Sequence, residues 1–117
     1  MKIKNALASV AVRDLEAATP FYEKFLGPGR RPMKEVVEWQ LEGGGGLQVY
    51  LLPERAGSCS CTLIVSDIDE VAEQLRNAGV APGAEPSRND RVDTLMIKDP
   101  DGNSIALSQP KDPSLAH

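Results

Sequence analysis

The amino-acid sequence predicts an α+β fold built from two βαβββ modules. Three observations carry this prediction. A strand-like run, an Asp-capped amphipathic stretch and a glycine stop occur twice, in the same order. The period is nearly constant: Asp14 and Asp67 lie 53 positions apart, and Gly27 and Gly79 lie 52 apart. Further strand-like runs follow each stop and close in a hairpin. A long-period repeat of this kind marks an internal duplication.

In the first module, residues 6–12 alternate loosely and are rich in Ala and Val, which predicts a strand. Asp14 is a natural N-cap. Leu15, Ala18, Tyr22, Phe25 and Leu26 follow helical spacing. Pro20 falls inside that stretch, so either the helix kinks there or Thr19 caps a second start. Gly27-Pro28-Gly29 ends it. Residues 36–41 and 47–52 are strand candidates joined by the four glycines 43–46, and 53–57 form a polar link. In the second module, residues 59–65 form a strand. Asp67 then caps a helix with Glu70 at capping-box spacing. Ile68, Val71, Ala72, Leu75 and Ala78 make its apolar stripe. A turn-rich link with Pro82, Gly83 and Pro86 leads to the last hairpin, residues 94–97 and 104–107. Its turn, Asp99-Pro100-Asp101-Gly102-Asn103, reads as turn chemistry, with Gly102 placed to take φ > 0.

The 117 residues suit one domain, with module 1 at about 1–55, module 2 at about 58–110 and a tail at 111–117. The net charge of −4 gives no basic surface for nucleic acid or an anionic membrane. No apolar run approaches the roughly 20 residues needed to span a bilayer. The start MKIKNALASV lacks a long apolar core, so no signal peptide is predicted. Cys59 and Cys61 sit two apart on one side of a strand and cannot easily form a disulfide, which fits a reducing cytoplasm. That pair lacks two further metal ligands, and the single histidine is His117.

The stretch VAVRDLEAATPFYEKFLG resembles the first strand and helix of the vicinal oxygen chelate superfamily, which covers glyoxalase I, extradiol dioxygenases and the fosfomycin- and bleomycin-resistance proteins. Asp14-Leu15, Phe21-Tyr22 and Leu26-Gly27 match in type and spacing. LIVSDIDEVAEQLRNAGV resembles the second such unit, and DPDGNSIAL the closing hairpin. The resemblance covers nearly the whole chain. It implies modules that curl into a half-open barrel around a cavity, and a homodimer at this chain length. Enzymes of the superfamily hold a divalent metal in the cavity. The matching positions here are Leu7, Ser60, Ala106 and Gln48, with Val49 as the alternative register for the last. None is His, Asp or Glu, and a divalent metal needs several strong donors. No metal and no cofactor is therefore expected.

Strand alternation sorts the remaining positions. Val10, Val12, Leu47, Val49, Leu51, Leu63, Val65, Ile105 and Leu107 are expected under the helices. The alternate set is expected to line the cavity: Leu7, Ser9 and Ala11, then Gln48 and Tyr50, then Ser60, Thr62 and Ile64, then Ser104, Ala106 and Ser108. This lining is small and neutral-polar, which leaves room for a ligand and can orient it. A collapsed or water-filled groove is the alternative. Trp39 is either a stacking wall for a planar or cationic ligand or a core or interface residue. Arg88, Asp90, Arg91 and Asp93 either close over a ligand or form a solvated loop. Tyr50, Glu38 and Glu42 are isolated proton carriers, and Cys61 points to the helix side, so no spacing demands catalysis. The sequence thus predicts a cytoplasmic, metal-free, glyoxalase/bleomycin-resistance-like protein that binds an unidentified small molecule, and it supports no named reaction. A metal-dependent lyase or dioxygenase with atypical ligands, and a non-catalytic interaction module, are the alternatives.

Overall fold

Asp14 and Asp67 start the two helices, as the repeat predicts. Asp14 Oδ1 accepts from the Glu16 N–H at 2.9 Å, and Asp67 Oδ1 from the Glu70 N–H at 3.1 Å. The computed structural model describes residues 1–112, so His117 lies outside the described residues. In chain order the elements are β1 (Leu7–Val12), α1 (Leu15–Leu26), β2 (Arg30–Met33), β3 (Val36–Gln40) and β4 (Gly46–Leu51). A 3-10 turn at Pro53–Arg55 leads to β5 (Ser60–Ile64), α2 (Ile68–Asn77), β6 (Ser87–Arg88), β7 (Val92–Lys98) and β8 (Ser104–Pro110). Helix α1 runs unbroken through Pro20, whose ring lies on the exposed side.

Each module forms one four-stranded mixed sheet, ordered β1-β4-β3-β2 and β5-β8-β7-β6. β1 is parallel to β4, with Leu7 opposite Gly46 and Val12 opposite Leu51. β5 is parallel to β8 in the matching way, with Ser60 opposite Ser104 and Ile64 opposite Ser108. β2 and β6 are the outer strands and are exposed throughout. Pro32 in β2 is tolerated because an edge strand has a free N–H side. Val10, Val12, Leu47, Val49, Leu63, Ile105 and Leu107 are buried beneath the helices. Leu51, at the end of β4, is instead 41% exposed.

The two sheets are not closed into a barrel. They meet where β1 lies against β5, and no ladder runs from one sheet into the other. Ala11, expected in a cavity, is fully buried at this seam. Its N–H donates to Cys59 Sγ at 3.4 Å, and its carbonyl accepts from Asn103 Nδ2 at 2.8 Å.

Side chains of the Asp99–Asn103 turn hold the seam. Asn103 is fully buried, and all four of its amide valences are used. Nδ2 donates to Ala11 O and Asp99 Oδ2, both at 2.8 Å, and Oδ1 accepts from Gly57 and Cys59 N–H, both at 2.9 Å. Asp99 Oδ1 accepts from the Asp101 and Asn103 N–H groups at 3.0 and 2.8 Å. Tyr22 on α1 donates its hydroxyl to Asp99 Oδ2 at 2.7 Å. A carboxylate has about four acceptor sites, and here each oxygen takes two donors. The turn itself is closed by Gly102, at φ 94, whose N–H donates to Asp99 O at 3.0 Å. The link residue Gly57 has φ 94, and a Cβ there would meet Asp101 O at 2.7 Å, so only glycine lets the link pass the turn.

Burial, and then the Asp99 carboxylate, push the Tyr22 hydroxyl far above the ordinary tyrosine range. Tyr22→Phe is expected to lower stability by about 1.5–3 kcal/mol near neutral pH, the range for a hydrogen bond to a charged group. Above about pH 10 the unfolded chain loses the Tyr22 proton while the folded chain keeps it, so the wild type loses stability as pH rises. Urea denaturation of both proteins at about pH 8 and about pH 11 should show the gap narrowing at the higher pH. An unchanged gap would contradict the buried bond.

Candidate functional site

The helices cover one face of each sheet and leave the other open. On the first sheet, register brings Ser9, Gln48, Glu38 and Arg30 into one row. Gln48 Nε2 donates to Ser9 Oγ at 2.7 Å, and Arg30 Nη2 lies 3.4 Å from Glu38 Oε1. Half-buried Tyr50 stands beside this row, opposite Val36. The row on its other side is Leu7, Gly46 and Gln40. Leu7 lies over Gly46, where an added Cβ would come within 2.5 Å of Leu7 Cδ2 and 2.8 Å of Trp39 O. Glycine is required there by close approach.

On the second sheet, three rows cross β5, β8 and β7: Ser60–Ser104–Lys98, Thr62–Ala106–Met96 and Ile64–Ser108–Thr94. Lys98 Nζ donates to Ser104 Oγ at 2.7 Å, and Ser108 Oγ lies 3.3 Å from Thr94 Oγ1. Leu7, Ser9, Gln48 and Tyr50 thus share the first open face, and Ser60, Thr62, Ser104 and Ala106 the second. Each sheet gathers its own set, and no strand ladder joins the two sheets. Ser108 has the expected direction but is buried, its hydroxyl turned to Thr94.

Trp39 is placed differently. With Val37 it faces the helix side, 4% exposed, its ring 5.8 Å from that of Tyr22. Its indole N–H donates to Gly27 O at 2.8 Å, which satisfies both a buried donor and a carbonyl at the end of α1. It is a core residue and does not wall the open face. The Arg88 cluster is likewise structural. Arg88 pairs with Asp69 on α2 and with Asp93 at 3.0 Å, and Lys111 Nζ lies 3.2 Å from the other Asp93 oxygen. Asp93 is 6% exposed, so these two cations offset the burial of its charge. Asp90 and Arg91 are exposed. Burial, then the charges of Asp99 and Cys59, push the Cys61 thiol upward, which makes it a poor nucleophile.

Sequence reasoning missed one cavity, a cleft of about 210 Å³ on the helix side. Phe25, Leu41, Val65, Val71 and Leu75 supply its apolar wall, with Glu42 and Gln74 as polar lining. Its residues come from both helices, the loop between β3 and β4, and the second sheet. The signal available was the pair of apolar helix faces, whose spacing shows what each helix buries but not the gap left between them.

The model of the Glyoxalase/Bleomycin resistance protein/Dioxygenase superfamily matches residues 5–107. The chain belongs to this superfamily. It is 34% identical to a glyoxalase/bleomycin resistance protein from Catenulispora acidiphila, with a TM-score of 0.75 over 92% of this chain and 98% of that one. It is 27% identical to TnmS3, an antibiotic binding protein from Streptomyces sp. CB03234, with a TM-score of 0.76 over 95% and 99%. A bleomycin resistance determinant encoded on the transposon Tn5 shares the fold at 21% identity and a TM-score of 0.76, over 94% and 100%. No curated protein matches the chain.

The resemblance implies a divalent metal at the positions of Leu7, Ser60, Ala106 and Gln48, or Val49 in the alternative register. Those residues do not fit one. Leu7 and Ala106 carry no donor atom, Ser60 offers a neutral hydroxyl and Gln48 one neutral amide oxygen, too few for a divalent ion. Glu38, the carboxylate nearest Gln48 in register, is paired with Arg30. Among the described residues, no group of three or more His, Cys, Asp or Glu is placed to hold a metal ion. Equimolar Zn²⁺, Ni²⁺, Mn²⁺ or Fe²⁺, and EDTA, should each leave the calorimetric Tm unchanged. A tight site present at 100 times its Kd would add about 2.7 kcal/mol, which calorimetry would register.

Proposed function

We propose that this superfamily member binds a small organic molecule on its open sheet faces without a resident metal, and that it is not itself an enzyme. The observation that carries this is the chemistry of those faces. Where metal catalysis would need charged donors, they hold a serine, an amide and two aliphatic side chains. Around these stand hydroxyls and amides that can orient a ligand, with exposed aliphatic surface to hold its apolar part. The 27% identity to an antibiotic binding protein supports the same reading.

The protein acts as a homodimer on this reading. Leu7, Met33, Ile64 and Met96 are each 49–59% exposed, and all lie on the open faces. Aliphatic side chains grouped on a bare sheet face favour a cover, and a second copy presents the complementary pair of faces under twofold symmetry. Such a dimer would also turn two open sheets into walls of an enclosed site. We place it in the cytoplasm, because Cys59 and Cys61 are both free thiols. No helix among the described residues is long and apolar enough to cross a membrane.

A thermal-shift screen over a small-molecule library that includes glycopeptide antibiotics should yield at least one compound that raises Tm, confirmed by isothermal titration. A compound at 100 times its Kd stabilises by about 2.7 kcal/mol. A screen in which no compound shifts Tm would count against binding. Size-exclusion chromatography with light scattering should give twice the mass of 12.6 kDa at micromolar concentration, and a monomer there would contradict the dimer.

A further inference from the structure

The two modules follow one plan, so each position on one open face has a counterpart on the other. Leu7 corresponds to Ser60, each seven residues before its helix cap. Register then matches Gly46 to Ser104 and Gln40 to Lys98. The first sheet therefore carries Leu–Gly–Gln where the second carries Ser–Ser–Lys. In the first row the Leu7 side chain covers Gly46, leaving no donor at either position. In the second, two hydroxyls and an ammonium stand side by side across three strands, and Ser60 and Lys98 are exposed. Topology does not demand this difference, because the backbone pairings are the same.

The charge pattern points the same way. None of the ion pairs among the described residues involves Lys98. The other residues of β5, β7 and β8 on this face are uncharged. An ammonium has three N–H donors and no acceptor, and the Lys98–Ser104 bond uses one. The neighbouring row offers apolar surface at Ala106 and at Met96, which is 57% exposed.

We propose that the Ser60–Ser104–Lys98 row is an oxyanion subsite. It takes the carboxylate or phosphate group of a small acid whose apolar part rests on Ala106 and Met96. The Lys98 ammonium supplies charge-assisted hydrogen bonds, and the serine hydroxyls supply direction. The subsite rests on the reading of the open faces as ligand-binding surface and names the ligand class for it.

Titration of the ¹⁵N-labelled full chain with inorganic phosphate and with benzoate, followed by NMR at low salt, tests this and separates the two oxyanion sources. Both anions should shift the Ser60, Lys98 and Ser104 amides, and benzoate should also shift Met96 and Ala106. Lys98→Gln should weaken binding about tenfold, and Lys98→Arg should retain it, because the side chain is exposed and either variant stays folded. Added salt should weaken the wild-type interaction. Unshifted amides in this row, shifts confined to Arg30 and Arg31, or equal affinity in Lys98→Gln would each overturn the subsite. The two readings fail separately. Library compounds that still bind the open faces while the anions do not would sink only the subsite. A chain on whose open faces no compound and no anion acts would sink both.

Discussion

The arrangement of the two modules depends on the buried side chain of Asn103. No ladder joins the sheets, so their relative position is set by what crosses the seam. Asn103 touches β1 through Ala11, the inter-module link through Gly57 and Cys59, and its own turn through Asp99. Few side chains can replace it. Aspartate lacks the two N–H donors, and leucine would leave two link N–H groups, the Ala11 carbonyl and an Asp99 oxygen without their partner, each at about 1–3 kcal/mol. Tyr22 carries the same network into α1, so one residue couples the first helix to the last hairpin. The outer pair Arg13–Asp101, at 3.0 Å with Arg13 largely exposed, adds little beside it.

Much of this fold was legible because its signals are local. Helix caps, glycine stops and the closing turn depend on residues within a few positions, and the period of about 53 exposed the duplication. β2 and β6 were not legible. Arg30-Arg31-Pro32-Met33 and Ser87-Arg88 show neither alternation nor burial, because an edge strand lies mostly in solvent and needs only one partner. Strand alternation placed nine of its eleven cavity-side residues on an open face, Ala11 and Ser108 being covered, since a period of two fixes direction once register is known.

The failures have a common cause. Trp39 was ambiguous because a lone aromatic gives no clue to its partner, and here the partner is the carbonyl of Gly27, twelve residues away. Ala11 and Ser108 keep the parity of the open face but are covered by neighbours from other elements, Cys59 and Asn103 for one and Thr94 for the other. Parity sets which way a side chain points; tertiary neighbours decide whether anything can reach it. The same limit explains why alternation grouped both open faces as one cavity. Alternation reads direction within one sheet, while the angle between sheets is set at the seam.

The turn also separates what holds the fold from what the fold can do. Asn103 is locked on both amide atoms and fully buried, whereas the Ser104 and Ala106 side chains, one and three positions on, lie on the open face. A change at position 104 or 106 therefore leaves the inter-module bonds untouched. In the duplicated counterpart Gly46 and Gln48 occupy those places on an equivalent backbone, and there close approach ties position 46 to glycine. A scaffold tied together by a turn's buried side chains does not depend on most of its open-face residues for that tie. The buried side chains of the turn and the outward positions of β8 are thus separate parts of one hairpin: the first tie the modules together, and the second face away from those bonds.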